Sequence, residues 1–373
     1  MSGARPNPTE RAALARAGAM AAPHGPLVSP NPAVGCVLLA DGNVVGEGVT
    51  QPPPGPHAEV VALAAAGSAA QGATAVVTLE PCAHHGRTPP CTDALIAAGV
   101  ARVVIAHPDP HAIAAGGARR LADAGIEVVG PLPDDDPFRG AVAGALEGFL
   151  CAVRRARPHV TLKLARTADG HVTNPTGARW VTGGAARRAV HRWRAAVDGV
   201  LVGVGTVLAD DPRLDVRDVA TDHQPRPVVL DATLRTPPTA RVVRPGTVLV
   251  AAPAAGDPST QRHRAERLAE QGVEVRRVAA GPTGRGVDLP AALGALAELG
   301  MVSLLAEPGP TLAGALLDAE LVDRLVLHVA VGLGDGPLDG ALAPPPGAPW
   351  RTERSGGAGA DAVVHLLPPT GAA

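Results

Sequence analysis

The sequence has few aromatic residues and no excess of positive charge. Its 373 residues include no tyrosine, two phenylalanines and three tryptophans, which leaves little for stacking nucleic-acid bases on aromatic rings. The formal net charge is −2, and the first 150 residues carry eight arginines against 13 acidic residues. A protein that binds a phosphate backbone needs the opposite balance, so we expect no nucleic-acid partner.

Long apolar runs and a cysteine framework are also missing. The first 20 residues contain charges and prolines where a secretory signal is apolar. No stretch approaches the roughly 20 uninterrupted apolar residues of a membrane span. Four cysteines in a chain of this length do not make a disulfide framework. We therefore expect a cytoplasmic protein with reduced thiols and no membrane partner.

Lysine is nearly absent. Of the 33 basic residues, Lys163 is the only one that is not arginine. A compact ammonium can do chemistry that a planar guanidinium cannot, so this lysine is a candidate functional residue. An ordinary surface lysine fits the sequence equally well.

The length and the 46% hydrophobic content predict two domains, residues 1–150 and 151–373. Short apolar strands alternate with helical segments in the first part, which predicts a layered α/β domain with a hairpin at Asp41-Gly42. A second α/β series follows Pro158. The sequence also predicts one helix over residues 134–158 and a loop over residues 342–362.

Three potential metal ligands follow one another in a short segment of the first half. His57 begins a predicted helix with Glu59 two residues later, Cys82 follows the next strand, and Cys91 comes nine residues after Cys82. Zinc deaminases use one histidine and two cysteines as ligands, with a glutamate two residues after the histidine as proton shuttle. Such a set leaves a fourth zinc position open for water. The alternatives are a buried histidine beside two inert thiols, or a structural zinc site in which Glu59 has no role.

The wider motif resembles one enzyme family. "HAE" followed by "TLEPCAHHGRTPPC", with "NPAVGCV" upstream, closely resembles the bifunctional riboflavin-biosynthesis deaminase/reductase. "LKLARTADG", "RWVT", "VGVGTVLADDPRLDVR" and "EPGPTLAGALL" match the same family in order, so the resemblance spans nearly the whole chain.

The resemblance implies a cytidine-deaminase-like three-layer α/β/α domain in the first half. This domain would hydrolytically deaminate a diaminopyrimidinone phosphoribosylamine, a small-molecule substrate. By position, His57, Cys82 and Cys91 would bind Zn²⁺, Glu59 would shuttle protons, and the substrate contacts would be Asn31, His84 and Arg87. A turn-capping Asn31 and surface positions for His84 and Arg87 remain alternatives. Thr50 departs from the family, whose familiar members have histidine there.

The second half shows no dinucleotide fingerprint. Gly203 and Gly205 follow a strand, but position 208 is leucine, so a GxGxxG motif is excluded. The segment around Gly309 reads as a strand, a loop and a helix start, which can hold a phosphate on backbone amides. An ordinary strand-to-helix turn fits this pattern as well.

The resemblance implies a dihydrofolate-reductase-like α/β domain that uses NADPH to reduce the ribosyl group to a ribityl chain. Lys163 would be catalytic. The NADPH-binding residues by matched position are Trp180, Thr206, Asp210, Gly309 and Thr311. The substrate-binding residues are Arg194, Leu214, Arg217 and Glu307. Arg166, Thr167 and Pro308 depart from the family pattern, and Pro308 removes an amide that could meet a phosphate.

Two competing functions remain to be weighed. A deaminase of tRNA adenosine or of a free base would carry neither "GRTPPC" nor a reductase half. A zinc-dependent binding or regulatory protein with inactive sites would not need Glu59. We further expect a homo-oligomer, either a dimer or a tetramer.

Overall fold

The computed structural model describes residues 5–84, 89–172, 180–253, 258–333 and 350–368. The chain divides into two compact units, Met1–Ala156 and Arg157–Ala373. The predicted boundary after residue 150 lies inside a helix of the first unit, Glu147–Arg155. Among the described helices, none is both long enough and apolar enough to cross a lipid bilayer.

The first unit is built on one five-stranded sheet. Its strands are β1 (Gly35–Ala40), β2 (Asn43–Val49), β3 (Thr74–Leu79), β4 (Arg102–His107) and β5 (Glu127–Val129). They are ordered β2-β1-β3-β4-β5, with β1 antiparallel to β2 and β3, and with β3, β4 and β5 parallel. The helices are α1 (Pro8–Ala21), α2 (Gly25–Val28), α3 (Ala58–Ala66), α4 (Cys91–Ala97), α5 (Gly117–Asp123), α6 (Pro137–Ala143) and α7 (Glu147–Arg155).

Helices cover both faces of this sheet. On one face, Leu14 of α1 and Val142 of α6 pack with Val76 of β3. On the other face, Ala62 of α3 and Leu95 of α4 belong to a second core cluster. The predicted three-layer α/β/α fold is confirmed.

Two local predictions for this unit had different outcomes. Asp41 and Gly42 form the two-residue turn of the predicted β1–β2 hairpin, with φ of 50° and 78°. The single helix predicted over residues 134–158 is wrong, because it breaks into α6 and α7. Val142 is buried in the core on one face of the sheet and Leu146 in the core on the other, so the chain changes faces between them.

The second unit is built on a nine-stranded sheet. Its strands are β6 (His159–Thr167), β7 (Gly199–Gly203), β8 (Arg226–Leu230), β9 (Val248–Ala251), β10 (Glu274–Arg277), β11 (Ser303–Ala306), β12 (Arg324–Ala330), β13 (Arg351–Ala358) and β14 (Asp361–Leu367). The order is β10-β9-β8-β7-β11-β6-β12-β14-β13. The strands from β10 to β12 are parallel, whereas β14 is antiparallel to both neighbours.

Helices also lie on both sides of the second sheet. They are α8 (Gly184–Arg194), α9 (Val204–Asp210), α10 (Pro258–Ala269), α11 (Leu289–Glu298) and α12 (Pro310–Asp318). Leu293 of α11 and Leu316 of α12 pack on one face with Leu162 and Leu304. Val207 of α9 and Leu268 of α10 pack on the opposite face over β7, β8 and β9.

The predicted loop over residues 342–362 is wrong for its second half. Arg351–Ala358 forms β13, which pairs antiparallel with β14 through a turn that contains Gly359 at φ 70°. Seven of its eight residues are exposed, so the segment has no alternation of buried and exposed side chains. The strand conformation of this segment is held by hydrogen bonds to β14. A pattern of apolar residues cannot predict this pairing.

Candidate functional site

Three side chains converge in the first unit. The ligand atoms of His57, Cys82 and Cys91 all lie within 4.8 Å of one another. The Nδ1 atom of His57 is 3.3 Å from the Cys91 sulfur and 3.8 Å from the Cys82 sulfur. A tetrahedral zinc ion with ordinary bond lengths separates such nitrogen and sulfur ligands by roughly 3.6 Å, so the three residues fit zinc.

Two helix starts and one strand end place these ligands. His57 is the N-cap of α3, Cys91 is the first residue of α4, and Cys82 follows β3. The α3 helix can approach β2 closely because Gly48 has no side chain: a Cβ there would lie 2.2 Å from the Ala58 carbonyl oxygen. The backbone N–H of Cys91 donates to the Cys82 sulfur over 3.3 Å, which ties the two thiol positions together.

The protein also tunes the charge of the two thiols. Cys91 donates a hydrogen bond that lowers the pKa of the Cys82 thiol to about 4, against an opposing effect of burial, and His57 adds to the lowering. The same hydrogen bond and burial raise the pKa of Cys91. The hydrogen bond that His57 donates to the Cys82 sulfur raises the pKa of His57. The site therefore holds one thiolate in place, ready for a soft cation.

Glu59 lies beside the ligands in the first turn of α3. Its side chain is only 3% exposed, and burial raises the pKa of its carboxyl above the ordinary value. A carboxyl with a raised pKa can both take and return a proton near neutral pH.

The remaining residues predicted for this site are placed as follows. Asn31 lies just before β1, and its backbone N–H donates to the Val28 carbonyl. His84 follows Cys82, and its Nδ1 is buried with no hydrogen-bond partner among the described residues. Arg87 lies outside the described residues. Thr50 is buried, and its hydroxyl accepts from the Val34 backbone N–H, so it fixes the segment that leads from Asn31 into β1.

Sequence reasoning missed Glu80, two residues before Cys82. Its buried carboxylate accepts hydrogen bonds from the backbone N–H groups of Asp109, Gly116 and Ala118. The Ala83 N–H in turn donates to the Ala114 carbonyl. Glu80 thus anchors the 109–118 loop beside a metal ligand. The "TLEPC" motif contains this glutamate, but its spacing gives no sign of backbone acceptors.

A second polar site lies on one face of the second sheet. Arg194 of α8 makes a two-pronged salt bridge with Glu307, with N–O distances of 2.7 and 3.1 Å. Its third contact is to the Asp215 carbonyl, at 3.0 Å. Lys163 on β6 lies next to this pair. In the β11–β6 register Ala306 is paired with Leu162, so the residues that follow them, Glu307 and Lys163, are neighbours.

Charge in this second site is set by opposing effects. Burial lowers the pKa of Lys163, and the Glu307 carboxylate only partly offsets it. Burial opposes ionisation of Glu307, but Arg194 holds the pKa of that carboxyl below its usual value. The site thus combines a fixed ion pair with an ammonium that loses its proton more readily than an ordinary lysine.

Two of the residues predicted to bind a dinucleotide lie together beyond the carboxyl ends of the neighbouring strands β7 and β11. Thr206 in α9 and Gly309 before α12 meet there, since the Gly309 N–H donates to the Thr206 hydroxyl over 3.2 Å. Thr311 is exposed in the first turn of α12, and Asp210 is exposed at the end of α9. Trp180 is 52% exposed, with the Arg187 guanidinium 5.4 Å from its ring centre.

Two basic pockets accompany the second site. One, of about 600 Å³, is lined by Arg213, Arg217, Arg226 and Arg244. Leu214, buried at φ 53°, turns the chain between Arg213 and Asp215, whose carboxylate pairs with Arg213 and Arg217. The structure therefore places Leu214 and Arg217 on one segment, which Arg194 contacts through the Asp215 carbonyl.

The second pocket, of about 480 Å³, lies beyond the carboxyl end of β8 and beside α10. Its basic lining residues are Arg235, His263, Arg264 and Arg267. None of these was predicted as a site residue. In the sequence, only the cluster of basic residues in α10 indicates this pocket. Such a cluster is equally typical of a solvent-exposed helix face.

Comparison with known proteins matches both units. Residues 9–107 match the family model for the cytidine and deoxycytidylate deaminase zinc-binding region, and residues 158–351 match the RibD C-terminal domain. The chain is 42% identical over 317 residues to the riboflavin biosynthesis protein RibD of Escherichia coli, covering 81% of this chain and 82% of that protein. It is 40% identical over 304 residues to RibD of Aquifex aeolicus, covering 81% of each chain.

Solved structures agree with these matches. The structure of Acinetobacter baumannii RibD is similar with a TM-score of 0.80 and 34% identity, covering 97% of this chain and 99% of that one. A Thermotoga maritima protein described as a diaminohydroxyphosphoribosylaminopyrimidine deaminase and 5-amino-6-(5-phosphoribosylamino)uracil reductase has a TM-score of 0.78 and 29% identity, with the same coverage.

Proposed function

Because the chain belongs to the RibD family of bifunctional riboflavin-biosynthesis deaminases and reductases, we propose the two reactions that it catalyses. The first unit converts 2,5-diamino-6-(5-phosphoribosylamino)pyrimidin-4-one and water into 5-amino-6-(5-phosphoribosylamino)uracil and ammonia. The second unit reduces the ribosyl group of that product to a ribityl chain with NADPH. The observation that carries the proposal is the three-ligand set beside buried Glu59, in one chain with the Lys163, Arg194 and Glu307 site.

Deamination needs a nucleophile and a proton carrier. His57, Cys82 and Cys91 would hold zinc, and the bound ion would lower the pKa of a water molecule. Glu59 takes a proton from that water and gives it to the departing amine, so the carboxyl ends the cycle as it began. Its raised pKa suits both transfers.

Substrate recognition in the first unit is proposed for Asn31, His84 and Arg87. The Nδ1 of His84 is buried and has no hydrogen-bond partner among the described residues, which supports a contact to a polar group of the pyrimidine, because a buried ring nitrogen otherwise loses its hydrogen bond to water. Arg87 is proposed for the phosphoribosyl group on the resemblance of its motif.

Reduction of the ribosyl group forms a C1′–H bond and breaks the bond from C1′ to the ring oxygen. NADPH supplies the hydride. The ring oxygen takes a proton, and we assign its donation to the Lys163 ammonium. Arg194 holds Glu307 ionised at the same site, and the carboxylate favours the protonated form of Lys163.

The substrate phosphate is proposed to bind beside Arg194, at the segment of Leu214 and Arg217. The pocket there has four arginines against two carboxylate partners: Asp215 pairs with Arg213 and Arg217, and Glu274 pairs with Arg226. A phosphate group would complete the pairing of these guanidinium groups.

NADPH is proposed to lie along the carboxyl ends of the parallel strands. Thr206, Gly309 and Thr311 would hold its phosphates near β7 and β11, and Trp180 and Asp210 are assigned to it by resemblance. The basic pocket at β8 and α10 lies two to three strand spacings from β11, or roughly 10–14 Å, within the length of a dinucleotide. Its arginines would bind the 2′-phosphate that distinguishes NADPH from NADH.

Kinetics with the two nucleotides test this placement. Arg264→Ala should raise KM for NADPH about tenfold and leave KM for NADH unchanged. Arg262→Ala, on the same helix but outside the pocket, is the matched control. Equal effects of Arg264→Ala on both nucleotides would place the 2′-phosphate elsewhere.

The reactions themselves are tested by supplying the diaminopyrimidine substrate with and without NADPH and following the products by mass spectrometry. Ammonia and the deaminated pyrimidine should form without NADPH, and the ribityl product should form only with it. Ammonia release from an adenosine-containing RNA instead would favour the competing deaminase activity.

We also propose a cytoplasmic location, because Cys82 and Cys91 must stay reduced to bind zinc.

On the resemblance alone, we propose that the protein is a homo-oligomer. Light scattering of the purified protein tests the oligomeric state, and a monomeric mass would contradict the proposal.

A further inference from the structure

His328 is a buried histidine for which no role has been assigned. It lies in the middle of β12, its side chain is 0% exposed, and neither ring nitrogen has a hydrogen-bond partner among the described residues. Buried polar atoms in folded proteins are paired with very few exceptions, so each exception calls for an explanation.

The strand register puts His328 on the catalytic face of the sheet. Its neighbour across the parallel β6–β12 ladder is Ala165, and Val326 is the neighbour of Lys163. Side chains two residues apart in a strand point to the same face, so His328 and Lys163 share one face. Leu325 and Leu327 point the other way, into the core beneath α11 and α12.

Helix α8 covers this face and connects the histidine to the ion pair. Trp193 packs edge-on against both His328 and His365, with ring centres 5.2 and 5.5 Å apart. The next residue in α8 is Arg194, which holds Glu307. His328 is thus fixed by packing, and its nitrogens remain available.

The charged and titratable groups on this face can be named element by element. Lys163 comes from β6, Glu307 from the end of β11, Arg324 from β12, Arg354 from β13, His365 from β14, and His191 and Arg194 from α8. Burial, followed by the charge of Lys163, lowers the pKa of His328 to about 4, so its imidazole is neutral near pH 7. Burial and Arg354 likewise lower the pKa of His365 to about 4, without a contribution from Lys163.

We propose that His328 is a positioning residue of the reductase: in the complex with nucleotide and substrate its neutral imidazole accepts a hydrogen bond from the Lys163 ammonium and holds that proton donor toward the ribosyl oxygen. This inference rests on the proposed function, in which Lys163 donates the proton. A neutral imidazole always offers one nitrogen as an acceptor, and Lys163 is a donor with no possible acceptor role. His365 lies on the same face and also packs against Trp193, but the charge of Lys163 does not contribute to its pKa, which makes it a matched control.

The first test reads Lys163 directly. Because the chain has one lysine, protein grown with ¹³C-lysine gives a single ε-carbon NMR signal, whose pH titration reports the pKa of Lys163. An acceptor stabilises the ammonium, so in the complex with NADP⁺ and the ribityl product His328→Phe should lower that pKa by about one unit. His365→Phe should leave it unchanged. Identical titrations of the wild type and His328→Phe would overturn the proposal.

The second test is kinetic. His328→Phe keeps a ring against Trp193 but removes the acceptor, so reductase kcat should fall about 10- to 100-fold with KM nearly unchanged. The alkaline limb of the kcat profile should move to lower pH, following Lys163. His328→Gln, whose amide oxygen can accept the bond, should recover most of the turnover. Deaminase turnover on the same samples should stay constant and shows that the chain is folded.

Other outcomes separate this inference from the proposed function. A rise in KM with an unchanged pH profile would mean that His328 binds substrate instead of positioning Lys163, and would overturn the inference. If Lys163→Met abolishes reduction while His328→Phe leaves reductase kcat unchanged, the inference alone fails. If Lys163→Met keeps full reductase turnover, the role proposed for Lys163 fails as well.

Discussion

Glu59 shows what a single side chain contributes to the first site. It is not among the three proposed zinc ligands, yet it is buried beside them. Glu59→Gln should therefore keep stoichiometric zinc while lowering deamination by about 10²- to 10⁴-fold, because the amide cannot carry a proton. Zinc analysis and an ammonia assay measure both effects.

The control for this change is Glu47→Gln on β2, where the partly exposed carboxylate pairs with Arg16. It should leave ammonia release and zinc content unchanged. Reduction of the deaminated pyrimidine should also continue in Glu59→Gln. Ammonia release at the wild-type rate by Glu59→Gln would show that another group shuttles the proton.

The sequence predicts site residues well where several of them occur in a fixed order because they serve the same bound ion. His57, Glu59, Cys82 and Cys91 form such an ordered set, and the structure brings them together. Glu80 and His328 belong to no such set, because their partners are backbone groups or a face of a sheet. Their roles depend on burial and register, and these are properties of the folded chain.

At the scale of one element, Glu80 orders a whole loop. Its carboxylate accepts from three backbone N–H groups between Asp109 and Ala118. Glu80→Ala should lower the free energy of unfolding by about 2–4 kcal/mol, since it leaves one buried and two partly buried donors without this acceptor. Urea unfolding measures the loss, and hydrogen exchange should rise in residues 109–118.

A matched control is Glu127→Gln, which removes a partly exposed carboxylate paired with Arg102. That change should cost less than about 1 kcal/mol. An equal loss in the two variants would mean that Glu80 does no more than a surface ion pair.

Strands β12 and β14 make the second unit sensitive to acid. His328 and His365 are buried with pKa values of about 4, below the value of about 6.5 for an unfolded histidine. Between these values the unfolded chain binds protons that the folded chain does not, so stability falls as pH drops from 6.5 toward 4. The loss reaches about 3 kcal/mol per histidine.

Urea unfolding at pH 7, 6 and 5 checks this dependence. His328→Phe should flatten it, whereas replacing the exposed His263 should leave the slope as it is. A slope that is unchanged in His328→Phe would show that this imidazole is protonated in the folded chain.

The sequence predicts helices, strands and turns correctly where apolar residues alternate or cluster. The hairpin at Asp41-Gly42 and the strand-to-helix turn at Gly309 both have local causes. The break between α6 and α7 and the exposed strand β13 do not. The first arises because Val142 and Leu146 enter different cores, and the second from pairing with β14.

At the scale of the whole molecule, the chain joins a zinc-binding deaminase domain to a reductase domain. Among the described residues, the three-ligand set in the first unit is the only group of three His, Cys, Asp or Glu side chains placed to hold a metal ion. Treatment with a zinc chelator should therefore abolish ammonia release. Reduction of added 5-amino-6-(5-phosphoribosylamino)uracil should continue at the untreated rate.

Added Zn²⁺ should restore deamination, and the two assays run on one sample provide the comparison. Loss of reduction in parallel with deamination would contradict the assignment of zinc to the first unit alone.

Lys163 also gives the chain an unusual vulnerability. A protease that cuts only after lysine has one peptide bond to attack, between Lys163 and Leu164, in the interior of β6. That strand is hydrogen-bonded on both sides, by β11 and β12. Cleavage therefore requires the centre of the second sheet to open. The rate at which two fragments appear on a gel measures how often it opens.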